Sequence, residues 1–140
     1  LGGEMSGHIF MGDGYYGFDD GVFVAGRIVQ ILAGQDQPLS AIMQTVPTLY
    51  STPEYRPHCP DEKKEPVIRA VHEALKARYP INDVDGIRIT FERGWGLLRQ
   101  SNTEPVLSLR FEGETEADAL AYKHIVREAL VSAYPEVEDF

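Results

Sequence analysis

Hydrophobic and polar positions alternate most cleanly in the second half of the chain. Ile87, Ile89 and Phe91 alternate with Arg88, Thr90 and Glu92, and Leu107, Leu109 and Phe111 alternate with Ser108, Arg110 and Glu112. A period of two puts each set on one face of the backbone, so both segments predict half-buried strands. Between them, Arg93-Gly94 predicts a turn into a third strand running from Trp95 to Gln100. Leu49, Ser51, Pro53 and Tyr55 alternate with Tyr50, Thr52, Glu54 and Arg56, an extended segment that its prolines confine to a sheet edge or to an interrupted strand. Two stretches repeat with helical period instead. Asp61 is placed to cap a helix reaching about Arg78, with Val67, Ile68, Val71, Ala74 and Leu75 on one face. Thr115 is placed to cap a second, with Ala119, Tyr122, Val126, Ala129, Leu130 and Ala133 as its stripe. The order β-α-β-β-β-α predicts an α+β domain over residues 48–140, a small four-stranded sheet carrying two helices on one face.

Residues 1–47 follow a different pattern. A glycine-rich loop leads into a short strand, His8 to Met11, and Gly12 to Gly17 is a loop rich in glycine and tyrosine. Asp19 or Asp20 can cap a helix ending near Ala33, with Gly34 as its stop signal. Val22, Ala25, Val29 and Leu32 form one stripe on it and Val24, Ile28 and Ile31 another, leaving Arg27 and Gln30 as its polar edge. A helix apolar nearly all round belongs inside a larger core. Residues 1–47 are therefore read as a piece of a larger domain whose core lies elsewhere. Pro38 to Val46 predicts a short helix or turn, and Pro47 marks the boundary.

Length and charge narrow the function classes. A chain of 140 residues suits one domain, or one domain with an appendage. No apolar run approaches membrane-spanning length and no leader pattern is visible. One cysteine, Cys59, cannot close an internal disulfide, and a reducing cytoplasm is the expected compartment. The net charge of −9 argues against nucleic acid and anionic membranes as partners. Residues 86–111 depart from that balance, with Arg88, Arg93, Arg99 and Arg110 against Glu92 and Glu104.

The chemistry concentrates in that basic island, at Arg99-Gln100-Ser101-Asn102-Thr103 between two apolar runs. A planar guanidinium can fork two N–H donors onto an anionic oxygen. Ser101 and Thr103 add hydroxyls, Asn102 an amide, and successive loop N–H groups can form an anion nest. The segment reads equally as a phosphate receptor or as a plain polar hairpin loop. At the other end, Glu4, Ser6 and His8 alternate with small or apolar residues in Gly2-Gly3-Glu4-Met5-Ser6-Gly7-His8, a spacing that offers three polar groups to a sugar. A frayed terminal loop is the plainer alternative. His58, His72 and His124 lack ligand spacing, and no metal site is visible. Tyr15, Tyr16 and Phe18 can line a cleft or simply pack, and Trp95, between two glycines, is expected to anchor the core beneath the loop.

The two segments together, in this order and about 90 residues apart, resemble the α-D-phosphohexomutases, and in particular their bacterial phosphomannomutase/phosphoglucomutase group. Gly17-Phe18-Asp19-Asp20-Gly21 and Leu109-Arg110-Phe111-Glu112 extend the resemblance over nearly the whole chain. It implies an α/β third domain ending near residue 47, followed by a C-terminal phosphate-binding domain. Arg99, Ser101, Asn102 and Thr103 would hold the phosphate distal to the reacting one, with Gln100 where relatives often carry Ala. Glu4 and Ser6 would contact sugar hydroxyls, with Met5 of the mannose/glucose type, and His8 would be a proton shuttle. The resemblance further implies hexose 1-phosphate and 6-phosphate as substrates, a phosphoserine, Mg²⁺ and a hexose 1,6-bisphosphate intermediate. This chain has neither the serine loop nor the aspartate-rich metal loop of that family, so by itself it is expected to be inactive, a piece that works with the N-terminal domains of a parent enzyme. The competing reading is a free-standing α+β module that binds a small anion as a regulator.

Overall fold

The alternation in the C-terminal half becomes a twisted antiparallel sheet because each of its strands has one apolar face to bury. In a computed structural model that describes residues 1–4 and 6–140, the chain divides into two units, Leu1–Pro47 and Thr48–Phe140. The larger unit contains β3 (Tyr50–Ser51), α3 (Asp61–Leu75), β4 (Ile81–Asn82), β5 (Ile87–Phe91), β6 (Gly94–Gln100), β7 (Leu107–Gly113) and α4 (Glu116–Ala133). Its strands lie in the order β3-β7-β6-β5-β4, each pair antiparallel. The architecture is α+β, as predicted, but the sheet has five strands rather than four. The extra strand, β4, pairs Ile81 with Ile89 and Asn82 with Arg88. Two residues between Pro80 and a turn are too few to show a period, so only the neighbouring strand reveals it.

Both helices cover one face. Ile87, Ile89, Phe91, Leu98, Leu107, Leu109 and Phe111 meet Val67, Val71 and Leu75 of α3 and Ala119, Tyr122, Val126 and Leu130 of α4 in a single buried core. Each large side chain so buried contributes roughly 1.5–3 kcal/mol. The proline-rich segment follows β7 as an interrupted edge. Thr52 N–H donates to Phe111 O at 2.9 Å, Tyr55 N–H to Leu109 O at 2.8 Å and Cys59 N–H to Pro105 O at 2.8 Å. Thr115 caps α4 through a reciprocal box with Asp118, and Arg93 also reaches the Asp118 carboxylate, at 2.5 Å.

Four local expectations are corrected. Pro60, not Asp61, occupies the cap position of α3; Asp61 is its first residue and pairs with Lys64. That helix ends at Leu75 instead of Arg78, and Ala74 is exposed. Trp95 is not a core anchor. Gly96 and Leu98 take the buried face of β6, so strand parity sends Trp95 and Leu97 to the helix-free face, where the Arg88 guanidinium lies 4.9 Å from the indole ring. Gly96 is small because the Phe111 ring occupies its place: a Cβ there would lie 2.9 Å from Phe111 Cδ1.

The smaller unit holds a two-stranded hairpin, β1 (Gly2–Gly3) with β2 (Ile9–Phe10), then α1 (Gly21–Ala33) and α2 (Leu39–Met43). Asp20 caps α1, accepting from Phe23 N–H at 2.9 Å, while the Tyr15 hydroxyl donates to its other oxygen and the Tyr15 ring stacks on Phe23. Tyr15 therefore packs, whereas Tyr16 and Phe18 are exposed. Only Val24 of α1 is buried, and Val22, Val29 and Ile31 are more than half exposed. The all-round apolarity read from the sequence thus appears as an uncovered helix surface. No helix among the described residues is long and apolar enough to cross a membrane.

Candidate functional site

The polar loop lies where β6 ends and β7 begins, beyond the last paired residues Arg99↔Ser108 and Gln100↔Leu107. Arg99 follows Trp95 and Leu97 on the helix-free face, with its side chain 45% exposed. Its Nη1 lies 3.4 Å from Asp85 Oδ2, a long contact between solvated groups. Asp85 is carried by the turn between β4 and β5, where Val84 N–H donates to Asn82 Oδ1 at 3.1 Å and Gly86 has φ +69°. A Cβ on Gly86 would come within 2.4 Å of Leu98 O and 2.6 Å of Arg99 Cβ. Glycine lets that turn press against the strand carrying Arg99.

Ser101 organises the loop more than it decorates it. Its N–H donates to Val106 O at 3.1 Å, and its Oγ accepts from Glu104 N–H at 3.2 Å and, at a longer 3.4 Å, from Thr103 N–H. These bonds correct the expected anion nest, because the N–H groups of Ser101, Thr103 and Glu104 already have partners inside the loop. What remains to meet a ligand is mainly side-chain chemistry, the Arg99 guanidinium, the exposed Asn102 amide and the hydroxyl protons, beside the backbone N–H of Asn102. With its acceptor sites engaged by N–H groups, the Ser101 hydroxyl is left as a donor, and Thr103 Oγ1 lies beside it at 3.5 Å.

The residues that hold this loop did not stand out in the sequence. Lys64 is 3% exposed and directs its ammonium at Ser101 O (2.8 Å), Glu104 O (2.6 Å) and Asp61 Oδ1 (2.6 Å). The signal was present: Lys64 falls on the stripe of Val67, Val71 and Leu75, an unusual place for a cation. Arg56, on the edge segment, pairs with the Glu104 carboxylate. Loop residue Glu104 is thus held by its carbonyl and by its side chain.

In the smaller unit, Glu4, Ser6 and His8 are brought onto one hairpin. Gly7 N–H donates to Glu4 O at 3.0 Å, Glu4 N–H to His8 O at 2.9 Å, and Ser6 Oγ to Glu4 Oε2 at 3.1 Å. Met5 lies outside the described residues. His8 Nδ1 bonds the Asp19 carboxylate, and that hydrogen bond and charge raise its pKa above the ordinary histidine value. The imidazole is thereby biased toward its protonated form, a proton donor before it can be an acceptor. Elsewhere His72 lies near Glu73 and His124 near Glu128, and no group of three or more His, Cys, Asp or Glu among the described residues is arranged to hold a metal.

Residues 54–129, more than half of the chain, match the family model described as phosphoglucomutase/phosphomannomutase, C-terminal domain. The chain belongs to the phosphoglucomutase/phosphomannomutase family. Residues 1–50 match that family's alpha/beta/alpha domain III. Among curated relatives, a phosphomannomutase/phosphoglucomutase of Pseudomonas putida is 40% identical over 139 residues, which are 99% of this chain and 30% of the relative. A phosphoglucomutase of Neisseria gonorrhoeae is 41% identical over 120 residues, 82% of this chain and 25% of its own length. The crystal structure of a phosphoglucomutase/phosphomannomutase family protein from Burkholderia thailandensis superimposes with a TM-score of 0.79 at 36% identity, over 97% of this chain and 29% of that one. The chain therefore matches over 25–30% of the length of these family members.

Proposed function

We propose that this chain supplies the distal-phosphate clamp and the sugar-contacting loop of a phosphohexomutase that interconverts hexose 1-phosphates and hexose 6-phosphates. The observation that carries the reading is the loop 99–103. One half-exposed arginine, two hydroxyls and an amide stand together at the end of a rigid hairpin, tied down from behind by buried Lys64. Arg99 would take two phosphate oxygens in its fork, and the hydroxyls of Ser101 and Thr103 and the amide of Asn102 would take the rest. Glu4 would accept hydrogen bonds from ring hydroxyls and Ser6 would add a second contact. His8, biased toward its protonated form by Asp19, would hand a proton to an oxygen at the reacting end.

A mutase that moves a phosphoryl group between the two ends of a sugar must recognise either end in turn. Fixed groups for the distal phosphate and for the ring meet that need, and binding energy from the distal phosphate can hold the substrate still during transfer. The described residues offer Mg²⁺ no ligand set. In this reading the metal, the phosphoserine and the turnover of the bisphosphorylated intermediate belong to the N-terminal domains of a parent enzyme.

Titration of the 140-residue chain with inorganic phosphate and with glucose 6-phosphate, followed by NMR, tests the clamp. Each charge-assisted hydrogen bond is worth about 1.5–3 kcal/mol before solvent competes, so a single open clamp should bind at about millimolar Kd. Amides of Ser101, Asn102 and Thr103 should move first, and Arg99→Ala should abolish the shifts. Larger shifts on α3 or α4 would refute the clamp. In a full-length enzyme carrying this segment, Arg99→Ala should lower kcat/KM for glucose 1-phosphate and mannose 1-phosphate, and unchanged kinetics would refute the mutase role of the loop.

A further inference from the structure

Lys64 lies on the buried stripe of α3, where a leucine would be the simplest occupant, and it is a cation there. Burial of an ammonium is tolerated only when its protons are all bonded. Here three protons meet three acceptors: Ser101 O at 2.8 Å, Glu104 O at 2.6 Å and Asp61 Oδ1 at 2.6 Å. The two carbonyls belong to the first and last residues of the four-residue segment 101–104.

We propose that Lys64 is the positioning residue of the anion loop, drawing the Ser101 and Glu104 carbonyls inward, away from the side that would meet a phosphate. The inference rests on the phosphate-binding reading above and adds to it the device that prepares the site before ligand arrives. A carbonyl oxygen turned toward the mouth would repel a phosphate oxygen. Paired with the ammonium, it faces away, and the charge beneath the loop adds attraction. Arg56 reinforces the same geometry through the Glu104 carboxylate. Lys64 touches no ligand in this scheme and acts through the loop.

The test uses the 140-residue chain with Lys64→Met, which keeps most of the length of the side chain and removes its charge and donors. Without ligand, hydrogen exchange at the Ser101 and Glu104 amides should accelerate at least tenfold while amides of β5 keep their protection. With inorganic phosphate as the probe, Kd should weaken tenfold or more. Phe91→Leu, at the opposite end of the β5–β6 hairpin, should lower stability yet leave Kd within twofold. If Lys64→Met does not fold, Lys64→Gln, which removes the charge but keeps an N–H donor group, carries the same two readouts. Wild-type loop protection, or a Kd within twofold of wild type in the lysine variant, overturns the proposal; so does an equal loss of binding in Phe91→Leu, which would make the effect one of stability alone. A wild-type chain that shows no phosphate shift refutes the clamp instead, and faster loop exchange in Lys64→Met then still shows that the lysine orders the loop.

Discussion

Gly86 connects fold to site more directly than any other single position, and replacing it by alanine should damage both. Its φ of +69° lies in the left-handed region, and an added Cβ would meet Leu98 O at 2.4 Å, Arg99 Cβ at 2.6 Å and Arg99 Cα at 2.7 Å. The left-handed conformation costs a non-glycine residue about 1–2 kcal/mol. Crowding against strand backbone, which cannot swing aside as a side chain does, adds about 1–3 kcal/mol. Together these give a loss of roughly 2–5 kcal/mol against a total stability of about 5–15 kcal/mol. Urea unfolding followed by fluorescence of Trp95, the one tryptophan, reads the larger unit directly. With a urea slope of about 1–3 kcal/mol per molar, the midpoint should fall by on the order of 1–2 M. Gly86→Asn separates the two causes, because asparagine tolerates the left-handed region but carries the same Cβ. It should recover only the dihedral part, about 1–2 kcal/mol, and keep the loss due to crowding. Full recovery with asparagine would show that the dihedral angle dominates and the packing against Arg99 does not. A midpoint shift below about 0.3 M for alanine would refute both parts of the reasoning.

Two further outcomes follow from charges beside the site residues. Asp85→Asn removes the carboxylate 3.4 Å from Arg99 and should tighten phosphate binding by up to about fivefold, the range of an exposed ion pair; unchanged or weaker binding by NMR titration would show that Asp85 does not compete with the anion. His8 should titrate above the ordinary value of about 6.5, because the Asp19 carboxylate favours its cationic form. The contribution of the pair is then complete below that ordinary value and is lost as pH rises through the raised midpoint. Asp19→Asn should bring the His8 midpoint down in an NMR titration, and a midpoint that does not move would refute the pairing.

What the sequence determined by itself was what repeats locally. Period-two alternation placed Ile87, Ile89 and Phe91, and Leu107, Leu109 and Phe111, on the buried face, because a strand has only two faces and one of them must leave water. Helical spacing did the same for Val67, Val71 and Leu75 and for the stripe of α4. Thr115 could be read as a cap because its partner Asp118 lies three residues on. The loop 99–103 could be placed between two strands because its motif is contiguous. Tertiary structure decided whatever depends on neighbours distant in sequence. Trp95 looked like a core residue beside its glycines, yet the parity set by Gly96 and Leu98 put it on the helix-free face. Strand β4 exists only because β5 offers it an edge. Lys64 and the loop carbonyl of Ser101 are 37 residues apart, and Arg56 and Glu104 are 48 apart. Pairs of that kind leave no period in a single chain, because hydrogen bonds and charges act over a few ångströms of space whatever the length of chain between them.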